Sequence, residues 1–386
     1  MGFLNGRVTY VRYRVSGVGP LPFDEDILEQ ARLHAVGRHG AADPTDGVSV
    51  GWAGGNHVLD LSFDSAKNLI NDALHLAIRV DTDKIPGSLL RAYTRIETDA
   101  RAQLNSSGFP TKAQRQEAKE AGRIRAEAEA ADGRFRRLAH YPVLWDGQTN
   151  TLYAGATSAS VLDRLQGLFR ETFDRTLEPI TAGNLAFEQA RVRGHERTVE
   201  DFGPTGFVGE DASYTSVAWA ESDPSSRDFW GNEFLIWLWH TLQNDGDTLT
   251  LPDGSEAAIM VAKTLTLDCP RGETGRDCLT NEGPTRLPEA FRALQAGKLP
   301  RKAGLIIVRH DAQYELTLQA ETLAVSGANL PKIEGVSGHD LHSARIDGFR
   351  HLVETLDLIY DAYGQRRTSP EWNGELGRIR RWLKVA

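Results

Sequence analysis

Between Pro86 and Ala131 the chain is helical in period but almost empty of large apolar side chains, and this limits what the segment can become. Pro86 suits the first position of a helix. Leu89, Tyr93, Ile96, Ala100 and Leu104 then recur at helical spacing. Asn105-Ser106-Ser107-Gly108-Phe109-Pro110 interrupts the pattern. A second helix opens at Thr111, with Gln114 three residues later as a capping box, and runs to about Ala131, before Gly133. Its non-polar residues are nearly all alanine, with Ile124 the large exception. A helix of this kind buries little, so residues 84–137 are expected to project as an arm from a body that supplies the core.

The flanking sequence reads as that body. Residues 7–15 alternate and are rich in β-formers, and Phe23 to Val36 reads as a helix opened by Asp24, Glu25 and Asp26. Gly51-Trp52-Ala53-Gly54-Gly55 reads as a turn, with strands at Val58–Phe63 and Leu74–Val80 placed to pair. Leu144–Gly147 and Thr151–Tyr153 read as strand, turn and strand, followed by an amphipathic helix from Val161 to Phe173. Residues 196–228 are acidic and aperiodic, which predicts a linker or surface insertion. Beyond it come an apolar helix over Phe234–Leu242, a strand over Ala257–Leu267, a helix over Leu287–Ala296 ended by Gly297, and a hairpin over 304–318. A long amphipathic helix follows over Ile346–Tyr363. The expected fold class is α+β: antiparallel sheets with packed helices and a projecting helical arm. The expected parts are 1–83 (N-terminal part of a central domain), 84–137 (arm), 138–195 (return of that domain), 196–230 (acidic insertion) and 231–386 (C-terminal α+β base domain).

Charge divides along the same lines. The whole chain carries 44 Lys and Arg against 53 Asp and Glu. Residues 84–137 hold twelve basic and seven acidic side chains, a local +5, so the remainder is −14. Positive charge gathered on one element of an acidic protein points to a localised polyanion contact. On the second arm helix Lys112, Arg115, Lys119 and Arg123 fall within a sector of roughly 80°. A solvated helix face would instead mix signs in i,i+4 pairs. Arg134, Phe135, Arg136 and Arg137 follow as a loop of three guanidiniums around an aromatic, fit either to touch phosphates or to flank a buried Phe135. Lys298 and Lys302 lie just past the Gly297 helix end, where basic residues suit the helix dipole.

Other chemistries leave weaker traces. His339, Asp340, His342 and His310 match no metal-binding spacing, no nucleophile elbow occurs, and no catalytic residue, metal or cofactor is expected. Cys269 and Cys278 do not form a C-x-x-C pair and are read as incidental. Trp230, Trp237 and Trp239 lie in an apolar run and are expected in the core. No apolar run approaches the ~18 residues of a membrane span, and no signal peptide is recognisable, so a cytoplasmic location is expected.

The order of these features resembles the recombination-associated protein RdgC family. The resemblance rests on Gly51-Trp52, on Asp83-Lys84-Ile85-Pro86 opening the arm, and on Arg134-Phe135 closing it. It continues through Trp145-Asp146, Leu165-x-x-Leu168-Phe169, and Arg286-Leu287-Pro288-Glu289-Ala290 leading to Ala296-Gly297-Lys298. It covers residues 3–180 and 283–325, and departs from shorter members in the acidic stretch around 196–280 and in a long C-terminal helix with a basic tail. The resemblance implies a non-enzymatic homodimer closed into a ring around double-stranded DNA, bound without sequence preference. It also implies association with the nucleoid and restraint of RecA-type recombinases through the DNA. On that reading Lys84, Arg91, Arg95, Lys112, Arg115, Lys119, Arg123, Arg134, Phe135, Arg136, Arg137, Lys298 and Lys302 face the DNA. Two other functions compete: an interaction module for an acidic protein, and a metal-dependent nuclease or hydrolase using the four His and Asp residues above.

Overall fold

The structure, a computed structural model, describes residues 2–19, 22–37, 47–208, 226–270, 272 and 274–385. In chain order the first elements are β1 (Val8–Val15), α1 (Glu25–Leu33), β2 (Val48–Ala53), α2 (Ser65–Asn68), β3 (Leu69–Ile70) and β4 (Ala73–Asp83). The arm helices α3 (Gly87–Gln103) and α4 (Lys112–Ala130) come next. They lead to β5 (Arg136–Asp146), β6 (Thr151–Ala154), α5 (Ala159–Phe173), β7 (Leu177–Pro179), α6 (Ala182–Val192) and α7 (Glu196–Asp201). Then follow α8 (Phe229–Asn244), β8 (Thr248–Thr250), β9 (Glu256–Asp268), β10 (Asp277–Asn281) and α9 (Pro288–Gln295). The chain ends with β11 (Leu299–Arg309), β12 (Ala312–Gln319), β13 (Val325–Asn329), α10 (Gly338–Thr368) and α11 (Trp372–Val385). The fold class is α+β, with antiparallel ladders. Among the described residues no helix is long and apolar enough to cross a membrane.

Two compact units emerge. The larger comprises residues 1–28, 64–76 and 141–386; the smaller comprises 29–63 and 77–140. In the larger unit the strands run in the order β10-β9-β11-β12-β13-β1-β6-β5. Consecutive strand residues face opposite ways, and both faces are covered. Leu144 and Tyr153 join Phe3 and Tyr10 around Phe349 of α10, whose ring lies 4.8 Å from that of Tyr153. Trp145 turns the other way, onto Phe169 and Phe173 of α5. Helix α8 is buried along most of its length, and Trp230, Trp237 and Trp239 lie in the core as expected.

Within the stretch expected as a linker or surface insertion, residues 196–208 pack onto the core. Helix α7 buries Val199, and Phe207 is buried beyond it. Thr205 donates its amide (2.6 Å) and hydroxyl (3.0 Å) to Glu233, which Arg367 also meets at 2.9 Å. Buried carboxylates and guanidiniums persist only when matched in this way, and the match draws the segment onto the core. The rest of that stretch, 209–225, lies outside the described residues. The basic tail is likewise an added helix, α11, rather than a free cationic end. Glu375 is buried and takes hydrogen bonds from Arg366 and Arg378, while Arg380 donates to the Gly206 carbonyl.

In the smaller unit β2 pairs with β4 from Val48↔Thr82 to Ala53↔Ala77. The segment read as a turn is therefore the strand, and Val58–Phe63 is not one. Two local causes explain the exchange. The backbone around Val36 crosses Gly51 so closely that a Cβ there would lie 2.4 Å from the Val36 nitrogen, so this glycine marks a close approach rather than a turn. Asp60 accepts from the amides of Asn56 and Ser62 and folds 58–63 into a side-chain-capped loop.

Candidate nucleic-acid interface

The arm is a hairpin of α3 and α4, and its sequence explains the close packing. Ala118, Gly122 and Ala126, spaced four apart, are the buried residues of α4. A Cβ on Gly122 would stand 2.7 Å from the nitrogen of Thr94, so the two backbones nearly touch there. The alanine-rich face that buries little against a protein core is thus the seam between two helices. Thr111 and Gln114 close the expected capping box. Asn105 and Gln114 then exchange hydrogen bonds across the tip at 2.7 and 3.1 Å. Near the other end Tyr93 donates to Glu129, with the Arg125 guanidinium 4.6 Å over its ring.

Ion pairing sorts the arm's charges. Each of its seven acids has an arginine within 4 Å: Glu97 meets Arg101 and Arg125, Asp99 meets Arg95, and Glu117 meets Arg101. Glu120 and Glu127 share Arg123, while Glu129 and Asp132 share Arg134. Hydrogen bonds from Arg134 hold the Asp132 carboxyl below the usual carboxylate range, and Arg123 does the same for Glu120. Arg136 reaches the buried Asp81 at 2.6 Å, and Arg79 holds the same carboxylate from the next strand position but one. Six arm cations remain without a carboxylate within 4 Å among the described residues: Lys84, Arg91, Lys112, Arg115, Lys119 and Arg137. All six are exposed.

The expected stripe therefore shortens from four residues to three. Arg123 obeys the i,i+3 and i,i+4 pairing of an ordinary solvated helix. Lys112, Arg115 and Lys119 instead occupy the first turns of α4, whose first turn holds no acidic side chain and whose Glu117 pairs with Arg101 of α3 at 3.9 Å. Cations there oppose the helix dipole, whose N-terminal end is itself positive. An anion near these turns meets both the dipole and three unpaired side chains.

The Gly133–Arg137 segment is not wholly a loop. Gly133 turns the chain at φ 77°, Arg134 and the half-buried Phe135 complete the turn, and Arg136 and Arg137 already belong to β5. Lys298 and Lys302 belong to the larger unit. Lys298 is mostly buried and committed to the Gly275 carbonyl and Asp277, each at 2.7 Å. Lys302 is exposed on β11. The tip also carries two exposed apolar side chains that the charge reading passed over, Leu104 at 83% and Phe109 at 73% exposure.

The metal-hydrolase set does not assemble. Among the described residues no group of three or more His, Cys, Asp or Glu is disposed to hold an ion. His339 (exposed) and His342 (half-buried) lie in the first turns of α10, whereas His310 lies beside His351. Both cysteines are free thiols. No protein-family model matches the chain, and no curated protein matches its sequence.

Proposed function

We propose that this chain binds double-stranded DNA without reading its sequence, and that it does so as a homodimer of the RdgC type that encircles the duplex and modulates RecA-type recombination. The observation that carries the proposal is the set of six exposed arm cations left over after every arm carboxylate has found an arginine. Three of them lie at the N-terminal turns of α4, where the helix dipole adds to their field. Such groups meet phosphate and release condensed counterions; they carry no base readout. The acidic remainder of the chain confines nucleic acid to the arm. Leu104 and Phe109 give the tip an apolar point of contact for a second copy, as an isologous dimer requires.

The test is fluorescence anisotropy with a random 30-base-pair duplex, combined with light scattering of the free protein. Tight binding that is indifferent to sequence, from a dimer, supports the proposal. Light scattering showing only monomer at micromolar concentration removes the ring. Absence of duplex binding at low salt removes DNA and leaves an acidic protein as the arm's partner.

A further inference from the structure

His310 and His351 are 41 residues apart in sequence and face each other in the larger unit. His310 and Asp311 form the two-residue turn that closes the β11–β12 hairpin, both at positive φ (50° and 63°). The turn leaves His310 exposed, while His351 is half-buried on α10. The nitrogens Nδ1 of His310 and Nε2 of His351 stand 3.4 Å apart. That is long for a hydrogen bond, which favours about 2.7–3.2 Å. It is the bite of a tetrahedral metal: with Zn–N bonds of about 2.0–2.1 Å, two nitrogen ligands lie roughly 3.3–3.4 Å from each other.

The far side of His351 is built to match. Its Nδ1 lies 2.6 Å from the Tyr314 hydroxyl. A metal on Nε2 requires the tautomer in which the Nδ1–H donates to the phenol oxygen. The Nε2 lone pair is then presented to His310. A fixed tautomer with the second nitrogen anchored is how metal-binding histidines are oriented. The nearby cation does not spoil the seat, because Arg309 is occupied by Asp253 at 2.6 Å and Glu354 at 3.0 Å.

We infer that His310 and His351 form a seat for one divalent transition-metal ion of the zinc class, with two imidazoles from the chain. No third side chain completes a group among the described residues, so water fills the other positions. Imidazole favours Zn²⁺, Ni²⁺ and Cu²⁺ over Mg²⁺ and Ca²⁺. The seat is independent of the arm and of DNA binding.

The experiment is calorimetric titration of the full chain with Zn²⁺, repeated with Co²⁺ while its visible absorption is recorded. One equivalent of metal is expected to bind, with a cobalt spectrum of low coordination number. His310→Asn keeps a residue that accepts positive φ and is expected to weaken binding at least tenfold. Tyr314→Phe keeps both ligands and is expected to weaken it about tenfold by releasing the His351 tautomer. The pair His339 and His342 in the first turns of α10 is the competing seat, and H339Q/H342Q is expected to leave the titration unchanged. The inference fails if the unaltered chain takes up no Zn²⁺ at submillimolar concentration. It fails equally if H310N and Y314F titrate like the parent, or if H339Q/H342Q abolishes the binding.

Discussion

A glycine-to-alanine change in the middle of a helix ordinarily stabilises it by about 1 kcal/mol, because the unfolded chain loses freedom and the helix gains a better former. At Gly122 the sign should reverse. The added carbon would lie 2.7 Å from the Thr94 nitrogen and 2.9 Å from its Cα, both backbone atoms that cannot swing aside. Relief requires α3 and α4 to separate, and overpacking of that kind costs about 1–3 kcal/mol. The net effect is a loss of up to about 2 kcal/mol of local arm stability. Gly167 in α5 is the control, since a Cβ there meets nothing within 4 Å. Gly167→Ala should gain the full propensity term of about 1 kcal/mol. Amide hydrogen exchange reads both, because each helix reports its own opening, at roughly tenfold in rate per 1.4 kcal/mol. Faster exchange along α3 and α4 in G122A, with slower exchange along α5 in G167A, is the expected pair of results. If G122A slows exchange in the arm, the helices do not meet as closely as described, and the seam of Ala118, Gly122 and Ala126 is wrong.

Two further expectations concern the larger unit. Glu233 is buried and serves Arg367, Tyr363 and Thr205. Glu233→Ala strands the Arg367 guanidinium and should lower stability by about 3–5 kcal/mol in urea denaturation, and a loss under about 1 kcal/mol would show the network to be incidental. Burial pushes His240 below its ordinary pKa, with Glu375 opposing that shift only in part. The unfolded chain therefore takes up a proton first, and stability should fall as pH drops below about 6.5 toward the folded value. Glu375 itself is pushed up by burial but pulled further down by hydrogen bonds from Arg378 and Arg366, so its contribution is lost only in more acidic solution. His240→Gln should flatten the dependence of Tm between pH 6.5 and 5, and an unchanged slope would show that another group is responsible.

Local signals were legible and distant ones were not. The capping box at Thr111 and Gln114, the Gly297 helix end and the apolar tryptophan run depend on near neighbours, and the structure carries all three. Gly51 misled because the reason for its missing side chain is the Val36 backbone, fifteen residues away and brought close only by folding. The arm illustrates the same limit for charge. Spacing grouped Arg123 with Lys112, Arg115 and Lys119, yet side-chain pairing separates it from them. Arg136 was counted as a free loop cation because its partner, Asp81, is 55 positions upstream. Lys298, assigned to DNA through the RdgC resemblance alone, is held by Asp277 and the Gly275 carbonyl. His351 gave no signal at all, since a lone histidine on an amphipathic helix acquires meaning only beside His310 and Tyr314.

The most direct test of the central claim is the salt dependence of duplex binding, compared between the unaltered chain and K112Q/R115Q/K119Q. Six phosphate contacts per chain, twelve per dimer, correspond to a slope of log K against log salt of about −11, and loss of three per chain should reduce its magnitude by about 5.4. Arg123→Gln, at a cation already committed to Glu120 and Glu127, should change the slope by less than about 1. That pattern would identify the N-terminal turns of α4 as the phosphate contact. Equal slopes for the parent and the triple variant, or an effect of Arg123→Gln as large as that of the triple variant, would contradict the account.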